Sequence, residues 1–226
     1  MAKMIWDASG TRKFEAGVSK GVLAVMNDNG EYDTPVAWSG LSKIAESPSG
    51  AEVTKLYADN MEYLGLISSE EYGATIECYT YPPEFYECDG AVSVAKGITV
   101  GQQNRRKFGY SYQSKIGTDV STDAGYAIHM VYGAQAKPSS KDHETVNSSP
   151  AAATMSYEIT TTPVSIPGTD LKPTATLTID STLVDKDELA AFEKVLYGDA
   201  DKEPEFLMPD QILKLFVKSA ALITKG

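Results

Sequence analysis

Apolar and polar residues alternate with a period of two along much of this chain, the pattern of strands that cover one face and wet the other. The most regular stretches lie late. In residues 154–163, Met155, Tyr157 and Ile159 alternate with Thr154, Ser156, Glu158 and Thr160. In residues 174–180, Ala175, Leu177 and Ile179 alternate with Thr174, Thr176, Thr178 and Asp180. Residues 56–81 read as two long strands joined by the polar run Ser68, Ser69, Glu70 and Glu71. Tyr57, Met61, Tyr63 and Ile67 share a face that the pattern places against a core, as do Ala74, Ile76 and Cys78 in the second strand. Pro82-Pro83 stops that strand, because proline has no amide hydrogen for the ladder. Pro83 then starts a helical turn, with Phe85 and Cys88 packing back and Asp89-Gly90 closing it.

The same reading places a buried strand on the apolar run Val22, Leu23, Ala24, Val25, Met26, a turn at Asn29-Gly30 and a returning strand at 35–38. Residues 98–116 are strand-like, with Phe108, Tyr110 and Tyr112 on one face; in 126–132, Ile128, Met130 and Tyr132 face one way. Residues 41–55 show no sustained period and centre on Ser47, Pro48, Ser49 and Gly50, which predicts a long loop. Residues 138–150 are polar and loop-like. One helix is clear, Lys186–Tyr197, where Asp185 caps the start, Glu188 completes a capping-box spacing, and Leu189, Phe192, Val195 and Leu196 form the apolar stripe. Gly198 stops it. A second helix is expected from Pro209 to about 222, with Ile212, Leu215, Phe216 and Ser219 in line. The expected organisation is an N-terminal arm (1–13), a β domain with its flanking helix (14–198), and an acidic linker with a C-terminal helix or arm (199–226).

Charge narrows the function classes. In 226 residues, 31 acids face 20 bases, for a net charge of −11. A grip on nucleic acid needs clustered lysine and arginine, so this balance argues against one. The only basic run is Arg105, Arg106 and Lys107, which is read as a source of ion pairs. No apolar run is long enough to span a bilayer, and the N-terminus lacks the apolar stretch of a secretory signal. Cys78 and Cys88 are therefore read as reduced core residues, with a mutual disulfide as the alternative. His129 and His143 have no partner at metal-ligand spacing. There is no nucleophile elbow and no phosphate loop, and the adjacent Glu70 and Glu71 are read as solvated. No catalytic, metal or cofactor residue is expected, and the chain is not read as an enzyme.

Several words fall in order along the chain: SPSGAEVTKLYADN, SSEEYGATIECYTYPPEFYECDG, GQQNRRKFGYSYQSKIG, SYEITTTPV and PTATLTIDST. Together they resemble the major tail proteins, or tail tube proteins, of long-tailed phages with non-contractile tails, especially those of Gram-positive hosts. The resemblance covers roughly residues 14–198. It implies a mainly β fold of two packed antiparallel sheets, a β-sandwich or barrel, with a flanking α-helix. It further implies six copies to a ring, rings stacked into a tube, and a place in the virion tail after assembly in the host cytoplasm. Partners would be other copies of the chain, with tape measure and tail terminator proteins; DNA would be a passenger and no membrane would be involved. Ser47, Pro48, Ser49 and Gly50 would then form an inter-ring loop. Glu62, Glu77, Glu158 and Asp180 are the candidate acids for a lumen wall that repels DNA. The alternatives are a β-sandwich binding a ligand or carbohydrate, with Tyr79 and Tyr81 exposed, a hydrolase with a converging carboxylate pair, and the inner tube of a contractile tail or secretion system.

Overall fold

A computed structural model of the chain describes residues 4, 6–141, 143, 145 and 152–216. Its strands are β1 (Lys13–Val25), β2 (Val36–Trp38), β3 (Leu41–Glu46), β4 (Ser49–Gly50), β5 (Val53–Ala58), β6 (Met61–Ile67), β7 (Glu70–Glu71), β8 (Gly73–Cys78), β9 (Val92–Ala95), β10 (Ile98–Val100), β11 (Phe108–Thr118), β12 (Gly125–Ala136), β13 (Met155–Thr161) and β14 (Thr176–Asp180). The helices are α1 (Phe85–Cys88), α2 (Lys186–Tyr197) and α3 (Pro209–Phe216). Eight strands join in one antiparallel sheet, β2-β1-β11-β12-β13-β8-β3, with β14 also paired to β12.

The strand β12 makes this one sheet behave as two. Its first half pairs with β14, from Ala127↔Asp180 to Val131↔Thr176, and its end pairs with β13, from Ala134↔Thr161 to Ala136↔Ile159. Gly133 sits at the handover with φ 57. A Cβ there would lie 2.2 Å from the Thr162 carbonyl oxygen, so only glycine fits both the conformation and the space. The wings β2-β1-β11-β12-β14 and β13-β8-β3 then close on a shared core: Leu23, Ile76, Phe108, Tyr110 and Tyr157 from four different strands meet in one cluster with Trp38 and Phe85. The expected mainly β architecture of antiparallel sheets with a flanking helix is present, its two sheets continuous through β12.

The opposite face of the first wing carries a second core. Val22, Ala24, Ile128, Met130 and Tyr132 pack under Leu189, Phe192 and Leu196 of α2 and under Phe206, Leu207 and Ile212. This explains why residues 22–25 are apolar without alternation: both faces of that strand are buried. The helix begins as its sequence predicts, with the Asp185 carboxylate accepting the amides of Asp187 at 2.9 Å and Glu188 at 3.2 Å. Gly198, at φ 73, ends it. Ile212 of α3 is buried and Leu215 and Phe216 pack at its margin. Ser219 and the rest of the expected second helix lie outside the described residues, as do residues 1–3 and 5 of the arm.

Three strand readings need correction. Residues 41–46 are not loop but β3, paired with β8. A register shift between Leu41 and Lys43 puts Leu41 and Ile44, three residues apart, on the same core, which hides the period of two. Residues 56–67 are not one strand packed on a core. Asp59 and Asn60 take φ 51 and 61 and turn the chain back, so β5 and β6 form a hairpin of their own. Aspartate and asparagine tolerate that left-handed conformation, as a two-residue hairpin turn requires. Residues 98–116 divide into β10, which pairs only with β9, and β11 in the main sheet.

Cys78 and Cys88 are free and fully buried. Burial pushes the Cys78 thiol up to about 11 and the Cys88 thiol up to about 12, the latter helped by the charge of Glu87. Since the thiolate is the reactive form, both should be silent towards a thiol reagent at pH 8 in the native protein and titrate as two thiols in denaturant. Rapid native labelling of either would show that the surrounding core opens readily.

Candidate assembly surface

The chain leaves the main sheet at Glu46 and returns at Gly73, and the segment between is an arm. Its root is tied by the Ser47 amide to the Gly73 carbonyl at 2.8 Å. Next comes the two-residue ladder of β4 with β7, Ser49↔Glu71 and Gly50↔Glu70. Then the Ser68 amide donates to the Glu52 carbonyl at 3.0 Å, and β5 and β6 run out to the Asp59-Asn60 turn. Ser47, Pro48, Ser49 and Gly50 therefore stand at the root of the projection, and its tip is the hairpin.

Every residue of β5 and β6 is exposed, although the composition is that of a core. Leu56 faces Leu64 and Thr54 faces Leu66 on one side; Val53 faces Ile67 on the other. Tyr63 is 74% exposed and Ile67 72%. Both faces of the ribbon thus carry uncovered apolar groups, and among the described residues neither strand pairs with anything but the other. An isolated two-stranded hairpin is marginal in water, and a contiguous exposed apolar patch marks an interaction site. A second ribbon, β9 with β10, repeats the theme on a smaller scale: Val92 faces Val100, and Val94 and Ile98 are also exposed.

The candidate lumen acids fall on separate elements. Glu77 and Glu158 are brought onto the outward face of the adjacent strands β8 and β13, by the pairs Ser156↔Glu77 and Glu158↔Thr75. Glu62 is on the hairpin and Asp180 ends β14. Lys43 meets Glu77 at 3.2 Å, Lys55 meets Glu62 at 2.8 Å, and Lys137 contacts Glu158. Asp180 accepts both the amide and the hydroxyl of Thr182, at 2.7 and 2.6 Å. Partial burial would raise its carboxyl, but the Thr182 bonds and the nearby Lys13 outweigh that and hold it below its usual range. The basic run is used in ion pairs as its sequence suggests: Arg105 meets Asp89 at 3.3 Å, and Arg106 meets Glu87 at 3.0 Å and Asp28 at 3.4 Å. Lys107 instead donates to the Thr162 hydroxyl. Of the aromatic pair considered for a binding groove, Tyr79 is 55% exposed, whereas Tyr81 packs against Phe85 and Tyr157.

One polar cluster has no signature in the sequence. His129 Nε2 lies 2.8 Å from the Ser114 hydroxyl and 2.9 Å from Glu15, while Ser114 also donates to Glu15. Its Nδ1 faces the Thr178 hydroxyl at 3.4 Å, and its ring stacks on Tyr112. In a nucleophile–histidine–acid relay the acid orients the imidazole from the nitrogen opposite the nucleophile. Here acid and serine share one nitrogen, so the cluster ties β1, β11, β12 and β14 together. The partners of His129 lie 15 to 114 positions from it along the chain, and only the strand register unites them. Among the described residues there is no group of three or more metal-ligating side chains, and no helix is long and apolar enough to cross a membrane.

No family model and no curated protein matches the chain. Three solved structures from tail-like particles are similar to it. One, from the six-fold symmetrised anti-feeding prophage baseplate, has 9% identity over 78% of this chain and 97% of that chain, at TM-score 0.36. A second, from the extended sheath–tube complex of the extracellular contractile injection system PVC, has 10% identity, coverages of 71% and 88%, and TM-score 0.31. A third, from the tube-terminating cap of the anti-feeding prophage, has 10% identity, coverages of 80% and 97%, and TM-score 0.33. These overlaps are loose, and the surface described above is read from its own residues.

Proposed function

We propose that this chain is a structural subunit that assembles with copies of itself into the tube of a phage-type tail. The observation that carries this reading is the β5–β6 hairpin, apolar on both faces and exposed along its whole length. A monomer gains nothing from keeping such a ribbon in water, whereas an assembly buries it. The sheet adds open edges: among the described residues β2, β3 and β14 each pair on one side only. A closed ring satisfies such edges by pairing them between subunits.

The resemblance in sequence supplies the finer reading: a major tail protein of a non-contractile tail, six copies to a ring, rings stacked as a conduit for DNA, tape measure and terminator proteins as neighbours, and residence in the virion. The chain is proposed to act without catalysis and without a cofactor. The inner tube of a contractile system shares the assembly argument and differs in having a sheath around the tube. A monomeric binding module is the rival of another class, and concentration separates it. Sedimentation velocity of the purified chain should show a shift from monomer to large, discrete species as concentration rises; a single monomer boundary throughout would favour the module.

A further inference from the structure

A groove lies between the β1–β2 edge and the end of α2. It offers about 260 Å³ and is lined mainly by apolar groups, among them Val22, Val36, Ala37, Leu196 and Pro204. Among the described residues Lys20 is the one cation at its wall. Its backbone is in the left-handed region, φ 48, where residues other than glycine are strained. The pairing of β1 with β11 slips between Ser19 and Val22, and the slip aims the Lys20 side chain across the groove. There the ammonium sits 5.5 Å from the centre of the Tyr197 ring and 5.7 Å from that of Tyr126. Among the described residues no carboxylate lies within ion-pair distance of it.

The hairpin tip has the complementary character. Tyr57 and Met61 flank the turn, 68% and 64% exposed. Glu62 is neutralised by Lys55, but Asp59, at the apex, has no cation near it among the described residues. The tip is therefore an apolar wedge with one free acid, and the groove an apolar slot with one free base.

We propose that the hairpin tip of one copy docks in the β1–β2/α2 groove of a second copy, with Asp59 meeting Lys20. The proposal rests on the reading of this chain as a self-assembling subunit and adds the surface that receives the arm. Donor and receiver are different patches, so each copy can give one contact and take one, and the contact propagates into a ring or a stack. The ion pair sets register while the apolar groups supply most of the contact.

Charge exchange tests it on the full chain. Lys20→Glu alone, or Asp59→Lys alone, places like charges together and should raise the concentration needed for assembly by about tenfold or more, because like-charge juxtaposition costs several kcal/mol. The double variant Lys20→Glu/Asp59→Lys should recover most of that loss. Circular dichroism should be unchanged in all three, since both side chains are at the surface. A second variant does not depend on charge: Ala37→Cys mixed with Asp59→Cys should give disulfide-linked dimers under mild oxidant. If the parent chain assembles while both single variants assemble equally well, or the double recovers nothing, or no mixed dimer forms, the docking is wrong and self-assembly stands. A parent chain that stays monomeric at every concentration overturns both.

Discussion

Leu64→Asp combined with Leu66→Asp leaves the chain folded and removes its capacity to assemble. Both residues are about half exposed, at 47% and 51%, on a ribbon that pairs only with itself. Exposed substitutions of this kind change monomer stability by about 0.5 kcal/mol or less. In an interface each leucine contributes roughly 1.5–3 kcal/mol of burial, so the pair removes about 3–6 kcal/mol from every contact the hairpin makes. Burying the new carboxylates unpaired adds a further penalty. The effect is multiplied along a polymer because every subunit uses the same ribbon. The measurement pairs a thermal melt with sedimentation: an unchanged melt and a single monomer boundary are expected. Assembly at the parent's concentration would show that the hairpin stays in water. A large fall in the melting temperature would show instead that the ribbon packs on its own domain.

Phe192→Ala has the opposite signature, a folded-state loss that does not depend on assembly. The ring is fully buried, lies between α2 and the sheet residues Ile128 and Met130, and sits 5.9 Å from the Phe216 ring. Removing it deletes apolar burial and leaves a cavity that a sheet and a capped helix cannot easily fill. The expected cost is about 3–5 kcal/mol. In a chain of this size that lowers the melting temperature by roughly 6–20 °C. This is a large share of the roughly 5–15 kcal/mol that holds an ordinary domain together. Chemical denaturation of dilute monomer measures it without interference from assembly. A loss under about 1 kcal/mol would place the ring at an unfilled surface.

The parts of this fold legible in the sequence are those whose environment is periodic. Strand β13 alternates because one face joins the core cluster with Tyr110 and Ile76 and the other meets water. Helix α2 carries both its stripe and its stops, Asp185 and Gly198, within a dozen residues. The turn of α1 is equally local: Pro83 opens it, Phe85 and Cys88 pack inward, and Gly90 closes it. The misread elements are those where packing departs from a simple period. A bulge in β3 puts Leu41 and Ile44 on one side, so a core strand looks like loop. The hairpin shows the reverse. Tyr57, Met61 and Tyr63 have the spacing of a core face but no core beneath them among the described residues. Periodicity reports that a face is apolar, and it cannot report which molecule covers it. The Asp59-Asn60 turn was the local cue, since two residues that tolerate positive φ between apolar runs favour a two-residue hairpin. The groove beside Lys20 had no cue, because β1, β2 and α2 meet there only in the folded chain.

Self-assembly through the exposed hairpin is tested most directly by electron microscopy of the purified full chain at high concentration. Rings, or tubes built of stacked rings, are expected for the parent chain, and dispersed monomer-sized particles for the Leu64→Asp/Leu66→Asp variant on the same grids. Parent particles that remain monomer-sized at every concentration would contradict it.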